Sequence, residues 1–401
     1  MNRGGRKSLQ QVRVAVVHDW LPVYAGAERV LEQILAVLPH ADLFSLIEFL
    51  PPDQRDFLGG RAVKTSFIQR LPFARTRYRN YLPFAPLAVE QFDLREYDVV
   101  ISSSYVVAKA VLTTPRQLHI SYVHSPVRYA WDLYFQYLEQ GGLKRGIRSL
   151  VARSILHYLR QYDVSTSNRV DYFIANSAFV AERIAKTYRR DSTVIHPPVD
   201  TESFALGTEK DDYYLTVSRL VPYKRIDIIA EAFARLPDRR LLIVGDGPEK
   251  ERIRAKSGPN VTMLGYQSNE KVLRLMQRAR AFVFAAEEDF GIVPCEALST
   301  GTPVIGYGSG GLTETVVEGE TGVFFYRQDP DEIMDAVLRF ESDEASFHPE
   351  TVRSSVMRFS EQRFRDAFES YVSTTFDEFQ RGGLRTRTQV DLEAPHEFEA
   401  R

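Results

Sequence analysis

The 401-residue chain has a single cysteine, Cys295, which excludes a disulfide framework and any multi-cysteine metal site. With no histidine near it in sequence, the plain expectation for Cys295 is a small buried residue. Apolar runs approaching the ~20 residues needed to span a bilayer are also missing. The opening M-N-R-G-G-R-K-S-L-Q-Q is basic, but the apolar stretch after it is only a strand long and contains His18 and Asp19, so no signal peptide is expected. Neither half carries a proper dinucleotide fingerprint, and V-G-D-G-P-E at 244–249 is a strand-to-helix turn that is not G-x-G-x-x-G. That excludes an NAD-dependent dehydrogenase.

Net charge is also small, at −2, yet unevenly spread. Residues 1–199 hold 26 Lys+Arg against 17 Asp+Glu, and the remainder holds 25 against 36. One half can therefore lean on an anionic surface while the other faces solvent. Two acid-free basic stretches lie in the first half. Residues 61–81 interleave Arg70, Arg75, Arg77 and Arg79 with Phe73 and Tyr78, and residues 143–162 place Ile147, Leu150, Val151 and Tyr158 at helical spacing beside Arg145 and Arg148. A basic amphipathic helix of this kind suits an anionic membrane surface, with a packed helix bearing a solvated face as the alternative. Nucleic acid is not expected, because no nucleic-acid motif accompanies the charge.

What is present is a soluble globular composition, 44% hydrophobic and 26% charged, in a chain long enough for two or three domains. Short apolar runs read as buried parallel strands at 12–17, 42–47, 97–102, 118–123, 171–176 and 193–196. A second series follows at 213–218, 240–245, 261–264, 281–285, 303–306 and 323–325, with helical patterns between many of them. Strands alternating with helices predict an α/β protein of two doubly wound, Rossmann-like domains facing across a cleft. The first is expected over 1–197 and the second over 198–360, with a hinge at 196–204 where Pro197 and Pro198 end a strand. The tail 381–401 is polar and aperiodic and is expected to be disordered.

The stretch 287–322, E-E-D-F-G-I-V-P-C-E-A-L-S-T-G-T-P-V-I-G-Y-G-S-G-G-L-T-E-T-V-V-E-G-E-T-G, is the densest in chemistry. It follows a strand and opens a helix near Val293, so Phe290, Gly291 and Ile292 present free amides at a helix N-terminus, an anion site in waiting. Glu288 and Glu296 stand eight residues apart, one in the loop and one in the helix, where both can face one cleft. This E-x7-E segment, with G-T-P-V-I-G and G-G-L-T-E after it, resembles the donor-sugar motif of the retaining glycosyltransferases of family 4. H-S-P-V-R-Y-A-W-D at 124–132 and S-R-L-V-P-Y-K at 218–224 are similar to segments of a mannosyltransferase-like branch of that family.

The resemblance implies the GT-B fold, a last helix (about 361–380) packed back on the first domain, and a nucleoside-diphosphate sugar as co-substrate. It assigns Arg219 and Lys224 to the departing diphosphate, which an arginine fork and a lysine point charge suit chemically. Glu288 and the amides of Phe290 and Gly291 would hold sugar hydroxyls, Glu296 the ribose, and the amides of Ile292 and Val293 the phosphate. His124, at a strand end, would position the sugar beside Arg128. Ser218 belongs to the same strand-end motif as Arg219, while Gly245 and Tyr266 fall in the segments resembling the base pocket. Gly26 stands alone where family members often carry two glycines, and phosphate contact or helix capping fits it equally. Asp19 ends the first strand and either faces the acceptor or caps a helix entry.

The expected activity is therefore transfer of a hexose, first mannose from GDP-mannose and second a sugar from a UDP donor, to a sugar or lipid-linked acceptor. No metal or other cofactor is expected, since helix dipoles and cations can replace one and the D-x-D site of the other glycosyltransferase fold is not evident. The expected setting is cytoplasmic, peripheral on the inner face of a membrane. A GT-B epimerase or phosphorylase and a non-catalytic nucleotide-sugar-binding protein are the alternatives. Oligomeric state, acceptor and linkage are not legible.

Overall fold

A computed structural model describes residues 9–382. Apolar β-rich runs form two all-parallel sheets, each flanked by helices. The first sheet comprises β1 (Val14–His18), β2 (Asp42–Ser45), β3 (Val63–Thr65), β4 (Val99–Ser104), β5 (Leu118–Val123), β6 (Tyr172–Ala175) and β7 (Ser192–Val194), in the order β3-β2-β1-β4-β5-β6-β7. The second comprises β8 (Tyr214–Val217), β9 (Leu241–Val244), β10 (Val261–Gly265), β11 (Phe282–Phe284), β12 (Val304–Tyr307) and β13 (Gly322–Phe325), in the order β10-β9-β8-β11-β12-β13. In both sheets the order reverses beside the first strand, creating a crevice at the strand C-terminal ends where open α/β sheets bind ligands.

Every residue of β1 is buried, and its alternation feeds two cores. Val14 and Val16 join Val30, Leu31 and Ile34 of the helix Gly26–Val37 on one face, while Ala15 and Val17 join Phe44, Val89 and Val100 on the other. That two-sided burial explains why the strand reads as an unbroken apolar run. The second domain has one large core, built on Leu215, Ile243, Phe282 and Ile305.

The chain crosses between domains twice, and the crossings touch. The Val199 amide donates to the Phe359 carbonyl at 2.9 Å, and Val199 bridges Ser360. After the second crossing, the helix Glu361–Gly382 returns to the first domain, where Phe364, Phe368, Val372 and Phe376 sit in the same core as β1. The helix continues through Gly382, so Arg381 and Gly382 are helical rather than part of an irregular tail; the rest of that stretch, 383–401, lies outside the described residues. Among the described residues no helix is long and apolar enough to cross a membrane.

Candidate active site

The strand ends of both domains converge on a cavity of about 600 Å³. His124, Arg128, Tyr105 and Tyr78 line it from the first domain, and Ser218, Arg219, Lys224, Glu288, Phe290 and Gly291 from the second. Gly26, Ile292 and Val293 line both this space and an adjoining one of about 540 Å³, which Glu296, Arg29 and Tyr266 also border. The two spaces form one continuous cleft. Most of the residues singled out in the sequence are thus brought together, although more than a hundred positions separate His124 from Glu288.

The helix Ile292–Ser299 starts at Gly291, whose φ of 91° lies in the left-handed region that glycine tolerates. Its first N–H groups have no acceptor within the helix and stand at the cleft wall. Gly26 opens the facing helix Gly26–Val37, and a Cβ there would come within 3.3 Å of Ile292 Cδ1, so the two helix starts approach closely. The two positive helix ends and the nearby cations make this wall attractive to anions.

Arg219 is exposed in the cleft and, among the described residues, has no carboxylate within ion-pair distance. Lys224 is mostly buried, and its ammonium lies against the Glu288 carboxylate. Burial, reinforced by the charges of Arg128 and Arg219, pulls the Lys224 pKa down to about 7, against the opposing pull of Asp289. Glu296 is buried and paired with Arg29 of the opposite domain. Burial pushes its carboxyl up, and the Arg29 guanidinium pulls it back.

His124 sits in a polar chain at the sheet ends. Its Nε2 is 2.8 Å from Ser103 Oγ, which is 3.0 Å from His18 Nδ1, and His18 Nε2 is 3.3 Å from Glu28 Oε1. The Asn176 amide donates to the His124 carbonyl at 3.0 Å, which fixes the backbone as well. Burial, with His18 adding repulsion, holds the His124 pKa down to about 3, so the ring is neutral at working pH.

One sequence expectation needs correction. Asp19 does not face the cleft. It is fully buried, and its carboxylate accepts four backbone N–H bonds, from Tyr105, Val106, Val107 and Ala108, at 2.6–2.8 Å. A carboxylate so saturated has no lone pair left for an acceptor; it orders the loop after β4 instead. Gly245 is half-buried and packs directly beside Ser218 of the cleft. With φ of 132°, its missing Cβ would lie 1.8 Å from the Ser218 carbonyl oxygen, so its glycine lets β9 pack under the Ser218–Arg219 turn.

Further contacts join the domains, among them that of Arg183, which was not singled out from the sequence. Arg183 pairs with Asp289 at 2.5 Å and with Asp132; Arg128 reaches Asp289 at 3.4 Å and donates to the Glu287 carbonyl at 3.1 Å. Glu314 accepts from the amides of Ala178 and Phe179, the first residues of the helix Ala178–Tyr188, and lies 2.9 Å from His196 Nε2. These contacts, with Arg29–Glu296, clamp the domains together. Cys295 is buried and its thiol is pushed up by burial, as suits an inert packing residue. The D-P-D at 329–331 belongs to a helix start, where the Asp329 side chain accepts from the Asp331 amide. Among the described residues no three His, Cys, Asp or Glu side chains cluster as a metal site would require.

Two parallel-sheet domains closing on an anion-seeking cleft define the GT-B architecture of nucleotide-sugar glycosyltransferases, and comparison with known proteins agrees. Residues 24–203 match the domain described as "Glycosyltransferase Family 4", and residues 198–355 match "Glycosyl transferases group 1". The chain thus carries the two glycosyltransferase domains in tandem.

Among curated relatives, the D-inositol 3-phosphate glycosyltransferase of Mycobacterium sp. (strain KMS) is 32% identical over 181 residues, 39% of this chain and 41% of that protein. The protein of the same name from Mycobacterium marinum (strain ATCC BAA-535 / M) is 26% identical over 265 residues, 58% of this chain and 57% of that one. The chain spans about half the length of the curated relatives it matches. Solved structures share the fold along most of the chain. Anabaena Alr3699/HepE in complex with UDP and glucose matches with a TM-score of 0.67 and 16% identity, covering 90% of this chain and 100% of that one. Sucrose-phosphate synthase from Thermosynechococcus elongatus matches with a TM-score of 0.69 and 18% identity, covering 91% and 100%.

Proposed function

We propose that this protein is a retaining glycosyltransferase that moves a hexose from a nucleoside-diphosphate sugar to an acceptor hydroxyl. The observation that carries the reading is the placement of Arg219, Lys224 and the start of the helix Ile292–Ser299 on one wall, opposite His124. A diphosphate gains charge as the glycosidic bond breaks, and cations with fixed amide dipoles stabilise that charge without reorganising. The acceptor oxygen bonds to the anomeric carbon as the carbon–phosphate oxygen bond breaks. The acceptor proton passes to the departing phosphate oxygen on the same face. Glu288, held by Lys224, accepts hydrogen bonds from sugar hydroxyls; Glu296 accepts from the ribose once Arg29 moves aside. Neutral His124 places a lone pair near the developing positive charge of the sugar. The cations of the chain serve in place of a metal, so activity is expected to survive EDTA.

GDP-mannose is the first donor, on the likeness of H-S-P-V-R-Y-A-W-D to the mannosyltransferase-like branch. A UDP-sugar is the second reading, favoured by the structural likeness to a protein solved with UDP and glucose. The acceptor class proposed is a sugar or a lipid-linked glycan, met at the cytoplasmic face of a membrane.

A thermal-shift panel of GDP, UDP, ADP and dTDP with their sugar conjugates tests the reading, because a ligand that binds only the folded state raises the midpoint. One nucleotide should stabilise the wild type and act much less on Arg219→Ala and Lys224→Ala. No shift with any of them would remove the donor assignment. Sugar release or rearrangement without an acceptor would favour a phosphorylase or epimerase, and binding without turnover would favour a non-catalytic binder.

A further inference from the structure

We propose that one face of the first domain, centred on the N-terminal half of the helix Ile147–Ser167, docks on an anionic lipid bilayer. The helix has two opposed faces. Leu156, Leu159 and Asp163 are buried on one, while Ile147, Leu150 and Val151 are 83%, 67% and 52% exposed on the other, in register with Tyr158. Large aliphatic side chains this open have no packing role in the chain itself. The apolar surface continues past the helix. Tyr158 stacks near Tyr162, whose hydroxyl donates to the Pro86 carbonyl at 3.4 Å, and Leu87 and Phe84 beside it are exposed.

Charge decides the occupant. No acidic residue occurs from 140 to 162 or from 57 to 89, the two segments that build this face. Arg145 and Arg148 stand exposed at the start of the helix with no ion-pair or hydrogen-bond partner among the described residues. Arg77, on the neighbouring segment, lies over the ring of Phe73, which is itself exposed. Apolar side chains projecting from a convex helix, rimmed by unpaired cations, fit the boundary between acyl chains and anionic headgroups. A nucleic acid would engage the cations but leave the aliphatic residues in water, and a protein partner would find a ridge without a groove.

The face also adjoins the cleft. Tyr129, a cleft residue, packs with ring centroids 5.9 Å apart on Tyr137 of the short helix Tyr134–Gln140, whose Phe135 is exposed. A bilayer here would sit at the acceptor end of the cleft, so a lipid-linked acceptor could enter without leaving its membrane. That last clause rests on the proposed transferase reading; the docking surface does not.

Co-sedimentation of the full chain with vesicles tests the proposal. Vesicles of phosphatidylcholine containing 30% phosphatidylglycerol (roughly the charge density of an anionic leaflet) are compared with pure phosphatidylcholine at low and high salt. Binding to the anionic vesicles should be at least about tenfold tighter and should weaken with salt. The double change Ile147→Glu with Leu150→Glu should reduce it at least about tenfold. Arg145→Glu with Arg148→Glu should reduce it and cancel the salt dependence. All these positions are exposed, so the thermal midpoint and the nucleotide-induced shift should stay at wild-type values, which keeps this test separate from that of the donor site. The proposal is overturned by absence of anionic-vesicle binding, by binding that ignores both double variants, by a dimer in solution that Ile147→Glu with Leu150→Glu dissociates, or by nucleic-acid binding that competes with vesicles.

Discussion

The Lys224 ammonium and the Glu288 carboxylate lie against each other on one wall of the cleft, from two loops of the same sheet. Burial and two arginines draw the Lys224 pKa down to about 7, so in the empty protein its charge is lost as pH rises through neutrality. A bound diphosphate favours the protonated form and raises that pKa. Below pH 7 the cation is already present and affinity is flat. Above it, binding must take up a proton, and affinity should fall by up to about tenfold per pH unit until the pKa of the complex is reached. Calorimetric titration of the nucleoside diphosphate from pH 6 to 9 in two buffers reads both the slope and the proton uptake. Lys224→Met should weaken binding about 10–100-fold and flatten the slope.

Arg29 and Glu296 join the two domains across the cleft. Removing the cation alone leaves a buried carboxylate without its partner, so Arg29→Met should cost about 1–3 kcal/mol. Adding Glu296→Gln should recover part of that loss, because no unpaired charge then remains. The difference between single and double variants, measured by denaturant unfolding, gives the coupling energy. A coupling near zero would mean that the pair does not hold the domains.

The chain Glu28–His18–Ser103–His124 has a direction. When the His18 ring carries one proton, Nε2–H donates to the Glu28 carboxylate, Nδ1 accepts from Ser103, and the Ser103 oxygen accepts from His124 Nε2–H. His124 should therefore be the Nε2–H tautomer, with Nδ1 free for substrate, and nitrogen-detected NMR distinguishes the two forms. Ser103→Ala should lower kcat/KM about 10–100-fold through misplacement while leaving the nucleotide-induced thermal shift intact. Because the His124 pKa is far below its ordinary value, no limb near pH 6.5 in the rate profile should belong to it.

Asp19 makes the opposite prediction for a residue at a strand end. Its four amide donors would be left buried and unpaired in Asp19→Ala, at a cost of about 3–5 kcal/mol. The thermal midpoint should fall steeply, while the nucleotide response of the fraction that remains folded persists. A folded, inactive Asp19→Ala protein would contradict this role.

Legibility followed the range of the interactions. Leu118–Val123 was bounded correctly because a strand buried on both faces is an uninterrupted apolar run. The edge strand Val63–Thr65 was missed, since two half-exposed residues flanking an exposed Lys64 leave no such run. Phe290, Gly291 and Glu296 were visible because loop and helix start are contiguous in sequence. The contact of Arg183 was not, because its partner Asp289 lies more than a hundred residues away and nothing local distinguishes Arg183 from a surface charge; Glu314 was quoted within G-G-L-T-E, but its contact with the Ala178 amide was equally distant. Of the two readings of Asp19, the acceptor-facing one failed because its partners are main-chain amides, which no side-chain pattern records. The steric need for glycine at 245 was hidden for a similar reason: the neighbour that requires it is a carbonyl oxygen of another strand end.

The paired crossings at Val199 and Ser360 make the second domain an insertion within the first. On the ribosome this reverses the usual N-terminal-first order. The first domain lacks Phe364, Phe368 and Phe376 until the entire second domain has emerged, so its apolar seam beside β1 stays open through most of synthesis. The inserted domain, with its two ends already side by side, is the part that can close first, and the last helix then acts as the bolt that completes the domain begun at the start of translation.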